Sequence, residues 1–305
     1  MLPILNKVKL GTHSGERPPA AVEFAAGGVL AAALRGPGQP PDYAYQSIPA
    51  GALVAGIGEP NLRAPEAIAS ALRLALGQVA PRSRAVTLVI PDTAVRVFVL
   101  DFDTFSSKPE EAYPVLRFRL RRIVPFDVEH AGLSYQILSE SMTECRVLVA
   151  VIPGPILQEY EAAVQAAGYE SGAVLCSSLA SLAAIDTLDA VLTANLSGLA
   201  LTTTITNSTD LLLYRTLDLP EDASLRSAEV RRSIAVAAAY YEDKLHVRAN
   251  RLLYSGEGSA EAFARMIGNA QLTVADLAPR PESGVATAWG DMSTAGVAGA
   301  LAEAH

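Results

Sequence analysis

Two stretches of this chain open in the same way, and that repetition limits its fold more than any other feature. Residues 21–34 read as two strands about a turn at Gly27-Gly28, residues 42–48 as a third strand, and residues 60–79 as a helix with Ile68, Leu72 and Leu76 at helical spacing. Residues 190–196, 199–206 and 211–217 again read as three strands, with Gly198 in the first turn. Residues 225–245 follow as an amphipathic helix whose stripe is Leu225, Val230, Ile234, Ala237, Tyr241 and Leu245. A β-β-β-α unit that occurs twice predicts an α/β chain of two similar lobes. Such a pair holds a ligand in the cleft between the copies, with hairpin amides facing it.

A small β-α-β-β insert separates the halves. Strands at 86–90 and 95–100 flank the turn Pro91-Asp92-Thr93-Ala94. Ser107 is placed to cap a helix with Pro109, Glu110 and Glu111 in its first turn, which runs to about Ile123 and stops at Pro125. Strands at 131–138 and 146–152 close the insert, and the insert strands at 95–100, 131–138 and 146–152 are candidate edges for a partner segment. Beyond it lie a helix at 156–167 ended by Gly168, a short strand at 251–254, the turn Ser255-Gly256-Glu257-Gly258-Ser259, and a helix at 260–267. The Ala- and Gly-rich residues 286–305 read as helical in part, and residues 1–18 as a leader or loose arm.

Composition removes several classes of function. Half of the 305 residues are hydrophobic and 18% are charged, so a large core can form. A net charge of −8 argues against nucleic acid as the main partner. Cys145 and Cys176 are far apart, and the four histidines have no second ligand at metal spacing, so no metal site is expected and a reduced, cytoplasmic protein fits. No run approaches the roughly 20 apolar residues of a membrane span. No Ser-His-Asp or Cys-His set can be assembled, so no catalytic residue is assigned. Asp101 and Asp103 share one strand face, where a solvated strand end and acid-base chemistry are both open readings.

The order of these pieces resembles the PilM family, the cytoplasmic actin-like proteins of type IV pilus assembly, related in fold to the cell-division protein FtsA. The resemblance rests on VTLVIPDTAVRVFVLDFDTF, VLRFRLRRIVPFDVEHAGLSYQIL, VLVAVIPGPILQEYEAAVQAAGYESGAV and EVRRSIAVAAAYYEDKL, and runs from about Val22 to Ile267. It implies an actin-like, RNase H-like two-lobed fold with an inserted small domain and a reduced second lobe. The implied divisions are a flexible leader (1–18), a first lobe (19–94 and 153–186), the insert (95–152) and a shortened second lobe (187–305). It implies a scaffold at the inner face of the inner membrane that binds the cytoplasmic N-terminal tail of a bitopic PilN-like protein, in the groove between the first lobe and the insert. Other pilus assembly proteins and a peripheral contact with the inner membrane are further implied partners. An active ATPase of the same superfamily and a cytoplasmic component of a type II secretion-like system are the alternatives.

Actin-like proteins hold Mg-nucleotide with two Asp-Xaa-Gly hairpins and a Gly-Gly turn, the Asp organising hydrated Mg²⁺ and the Gly admitting phosphate to backbone amides. Carried onto this sequence, the resemblance places Glu23, Gly27 and Gly28 in the first hairpin, with Glu23 for the Asp and Ala25 for the Gly. It places Asn195, Ser197 and Gly198 in the second hairpin, where Asn195 and Ser197 replace both motif residues. It places Gly256 and Gly258 in the third turn, with Glu257 inserted between them. The expectation is an absent or weak ATP cofactor with Mg²⁺ and no hydrolysis; polar strand ends and a ligand-free turn are the plainer reading of the same residues. Arg117, Arg119, Arg121 and Arg122 form a dense basic patch, and Pro125-Phe126 a helix stop with an apolar anchor. Arg117, Arg121, Pro125 and Phe126 are the partner-binding candidates, against a solvated helix face paired with neighbouring acids. Tyr240, Tyr241 and Phe118 are expected in cores, and Trp289 is either a surface anchor or without a role.

Overall fold

Alternation along the first strand decides how the first lobe is built. In the computed structural model, which describes residues 17–36, 38–278 and 292–302, β1 (Ala20–Ala25), β2 (Gly28–Ala33) and β3 (Asp42–Ser47) form an antiparallel meander. The helix α1 (Pro65–Val79) then returns the chain to β4 (Ala85–Ile90), parallel to β1. Val22 and Phe24 point to one face of the sheet and join a core with Ile68, Leu72 and Leu76 of α1. Ala21 points to the other face, and alternation puts Glu23 beside it.

After a short 3₁₀ turn at Asp92–Ala94 the chain leaves for the insert: β5 (Arg96–Phe102), α2 (Pro109–Leu120), β6 (Gly132–Glu140) and β7 (Cys145–Ile152). The strand order is β5-β7-β6, so β7 is paired on both sides and cannot be an edge; β5 and β6 are the edges. Leu116 and Leu120 of α2 bury against Val147, Val149 and Val151 of β7. Ser107 does not cap α2: Lys108 is the N-cap residue and no side chain caps it. The helix also stops sooner than expected, because the Leu120 carbonyl takes the Ile123 and Val124 N–H groups at 2.9 and 3.0 Å and the chain tightens into a turn. Phe118 is not a core residue; it is 59% exposed, on the face of α2 opposite Leu116 and Leu120.

The helix α3 (Gly154–Ala166) packs beside α1, and its Tyr160 meets Phe24 edge to face at 5.0 Å. Then β8 (Glu170–Cys176) completes a sheet of order β3-β2-β1-β4-β8, and α4 (Ser177–Leu182) crosses to the second lobe.

The second lobe repeats the plan with β9 (Val191–Ser197), β10 (Ala200–Asn207), β11 (Asp210–Asp218), α5 (Ala223–Leu245), β12 (Arg251–Gly256), α6 (Ala260–Ile267) and β13 (Thr273–Asp276). Its order, β11-β10-β9-β12-β13, is the first sheet's order again. Only Pro220 and its neighbours separate β11 from α5, whose first amides donate to Asp222 Oδ1 at 2.9 Å. Val230, Ile234, Ala237 and Tyr241 bury as the stripe requires, whereas Leu225, in the first turn of α5, is 61% exposed. Finally α7 (Ala295–Leu301) lies across the second face of the first sheet, with Val297, Ala300 and Leu301 against Ala21, Leu30, Val89 and Leu175. Of the expected loose arm, residues 17 and 18 are buried, with the Arg17 guanidinium directed at the Gly299 carbonyl at 3.4 Å. Trp289 lies outside the described residues.

Candidate functional site: a cleft closed by its own side chains

The two hairpins face each other where the lobes meet, and α4 and α7 cross behind them. The crossing is made by small residues: a Cβ on Gly299 would overlap the Ala180 carbonyl. Glu23 projects from β1 onto the start of α7, where a Cβ on Gly296 would overlap its carboxylate. Glu23 Oε1 accepts a hydrogen bond from the Ser177 hydroxyl at 2.6 Å. Asn195 Nδ2 donates to Ser177 Oγ and to Ser255 Oγ, both at 3.2 Å, and the Ser255 hydroxyl donates to Ser181 Oγ at 3.2 Å. A single polar chain thus runs from the first lobe through α4 into the second lobe.

A second tie lies beside it, on a residue that sequence reasoning took only as part of a turn. Asp92 is buried; it accepts from the Ser178 amide at 3.0 Å and from the Thr202 hydroxyl of β10 at 2.7 Å. Ser178 Oγ lies 2.6 Å from the Tyr214 hydroxyl of β11. Pro91-Asp92-Thr93-Ala94 carried the signal in its one charged residue between two apolar strands.

Burial sets the charge state of both acids. Desolvation pushes the Glu23 carboxyl up to about 7, against the Ser177 hydrogen bond and with a further push from Asp92. Asp92 is raised by desolvation too, opposed by its bonds from Ser178 and Thr202. These are the reverse of what a hydrated Mg²⁺ wants, which is an ionised carboxylate in open water. Asn195 is neutral, and among the described residues no three of His, Cys, Asp and Glu gather as a metal could use them.

The third turn also faces the cleft. Glu257 Oε1 accepts the Gly198 N–H at 3.0 Å, so a carboxylate of the chain sits on the second hairpin's amide. Burial raises the Glu257 carboxyl, and the Gly198 bond opposes that shift. The space enclosed by Glu23, Asn195, Ser197, Ser255, Gly256 and Gly296 is about 20 Å³, enough for roughly one water. These residues do not fit a magnesium-bound nucleotide.

The sequence candidates divide accordingly. Glu23, Asn195, Ser197 and Gly256 line the cleft, whereas Gly198 lines the neighbouring cavity. Gly256, at φ +152°, packs against the Leu196 backbone. Gly27 and Gly28 face β3 instead: the Tyr45 hydroxyl donates to the Gly27 carbonyl at 2.7 Å, and a Cβ on Gly28 would overlap Tyr45 and the Gln46 carbonyl. Gly258, at φ +83°, shapes the turn before α6. Arg117, Arg121, Pro125 and Phe126 gather in the insert, away from the residues that line the cleft. The Arg117 guanidinium donates to the Val128 and Glu129 carbonyls and that of Arg121 to the Glu129 carboxylate, while Phe126 packs on the insert core.

A cavity of about 330 Å³ opens beyond the hairpins. Leu53, Val54 and Ala55 of the first lobe line it, with Pro91 and Thr93 at the insert root and Leu199 of the second hairpin.

Two lobes of one strand order, hinged on two crossing helices and closing on paired hairpins, define an actin-like fold, and that is the fold of this chain. It is similar to a chain of the solved PilM-PilN type IV pilus biogenesis complex, with 17% identity and a TM-score of 0.67 over 94% of this chain and 98% of that one. It is also similar to the cytoplasmic domain of EpsL, an inner membrane component of the type II secretion system of Vibrio cholerae (13% identity, 88% and 92% covered, TM-score 0.48). A third likeness is to a Bacteroides thetaiotaomicron protein with an actin-like ATPase fold and unknown function (10% identity, 87% and 94% covered, TM-score 0.48). No family model matches the sequence, and no curated protein does. No helix among the described residues is long and apolar enough to cross a membrane.

Proposed function

We propose that the chain is a non-catalytic, actin-like scaffold of a type IV pilus assembly system that works at the inner face of the inner membrane. Its ligand is the cytoplasmic N-terminal tail of a bitopic PilN-like protein. The observation that carries this reading is the likeness to a chain of the PilM-PilN complex over nearly the full length of both chains. The tail lies along the first lobe and the insert root and seats an apolar side chain in the 330 Å³ cavity beside Leu53, Val54 and Pro91. The nucleotide cleft is degenerate in this reading: Glu257 takes the hairpin amide, and Glu23, Ser177, Asn195 and Ser255 bridge the lobes where a bound nucleotide otherwise would.

Calorimetric titration of the chain with a synthetic peptide of such a tail tests the reading. Binding at micromolar concentration is expected, unchanged by millimolar Mg-ATP, with no thermal shift from Mg-ATP alone. Val54→Asp, at an exposed cavity residue, weakens the peptide at least tenfold and leaves the melting temperature in place. Failure of the peptide to bind sinks the scaffold reading. Mg-dependent binding of ATP at micromolar concentration sinks the degenerate cleft.

A further inference from the structure

The insert helix α2 carries a face that the fold leaves uncovered. Of the four arginines in its last turns and the turn that follows, Arg117 and Arg121 hold the next loop through the Val128 and Glu129 carbonyls and the Glu129 carboxylate. Arg119 and Arg122 are exposed, and among the described residues neither makes an ion pair, in a chain with eight more acids than bases. The Arg122 guanidinium lies over the Phe118 ring, 5.0 Å from its centre. Val115 and Phe118 are 46% and 59% exposed, and Ile123 in the next turn is 46% exposed. At 3.6 residues per turn Val115, Phe118 and Arg119 share one side of the helix, and Arg122, in the turn beyond its end, is brought to the same side by its contact with Phe118. Glu111, on the same side, is neutralised by Lys108 at 3.5 Å.

We propose that this face docks on the anionic headgroup surface of a lipid bilayer. The apolar side chains enter the headgroup boundary while the two arginines meet phosphate. Charge complementarity selects the occupant: two arginines without an ion pair among the described residues stand beside an exposed aromatic ring. This inference rests on the reading above that the chain works at a membrane.

Co-sedimentation of the full chain with vesicles tests it, using phosphatidylglycerol mixed into phosphatidylcholine at low and at physiological salt. Binding to the anionic vesicles, weakened by salt and absent on pure phosphatidylcholine, is expected. Arg119→Gln and Arg122→Gln each weaken it roughly fivefold, and Phe118→Ser abolishes stable pelleting. Arg265→Gln, at an exposed arginine of α6, leaves it unchanged. Circular dichroism and the tail-peptide titration of each variant separate this outcome from misfolding and from the scaffold reading. A face variant that still binds the peptide but not vesicles supports the proposal; loss of peptide binding in the native chain strikes the scaffold reading instead. No anionic vesicle binding at low salt overturns the proposal, as does equal binding by an Arg119→Gln, Arg122→Gln double variant. Capture of a polyglutamate peptide without vesicle binding also overturns it, in favour of an acidic protein.

Discussion

At the scale of single residues, Glu23 sets the charge of the cleft between the lobes. Its carboxyl is held protonated up to about pH 7, well above the ordinary glutamate value of about 4.5. Between those two values the unfolded chain has already lost the proton and the folded one has not. The unfolded state therefore binds fewer protons, and stability falls as pH rises through this window. Below about 4.5 both states are protonated, and above about 7 both are ionised, so the contribution is flat on either side. The full effect is about 3 kcal/mol. Asp92 is raised as well and slopes the same way, so the difference between native and Glu23→Gln chains reports Glu23 together with its coupling to Asp92. Denaturant unfolding at pH 5, 6, 7 and 8 should give Glu23→Gln the flatter profile, and it should be the more stable of the two at pH 8. Parallel profiles would mean that Glu23 is ionised in the fold throughout.

Among the elements, the hinge pair α4 and α7 departs most from what the sequence displays. The long helices α1 and α5 are legible because burial on one face leaves a period of 3.6, whereas β1 and β9 are buried on both faces and show only as short runs bounded by turns. The α7 segment is Ala- and Gly-rich, so it carries no stripe, and its importance lies in what Gly296 and Gly299 lack. Gly299→Ala should cost about 1–3 kcal/mol, since the added methyl meets the Ala180 carbonyl and neither backbone can yield. A thermal melt reads it; an unchanged midpoint would mean that the two helices do not cross at contact distance. The insert shows the opposite lesson. Its β-α-β-β order was legible, yet Phe118 was expected inside, because an aromatic residue between Leu116 and Leu120 looks like core until the helix phase is fixed. The strand order β5-β7-β6 was not legible, since nothing local marks which of three apolar strands lies in the middle.

For the whole molecule, the duplicated strand order was visible in the sequence, while the ties between the lobes were not. Asp92, Ser177-Ser178 and Thr202 come from three separate places in the chain, and no spacing connects them. Asp92→Ala removes both of its bonds at once and leaves the Thr202 hydroxyl and the Ser178 amide without that partner, at a cost of about 2 kcal/mol or more. Hydrogen exchange should rise together in α4 and β10, on opposite sides of the cleft. Faster exchange confined to residues 91–95 would show that Asp92 braces only its own turn.

The route of the chain through the first sheet has a consequence for synthesis. Residues 191–276 supply every strand of the second sheet without interruption, so that sheet can form as soon as it emerges. The first sheet waits for β8, which follows the whole insert, and one of its faces waits longer still for α7, more than a hundred residues further on. A nascent chain therefore carries Ala21, Leu30, Val89 and Leu175 uncovered while the second half is being translated. That interval is when the polypeptide is most exposed to chaperones and to aggregation.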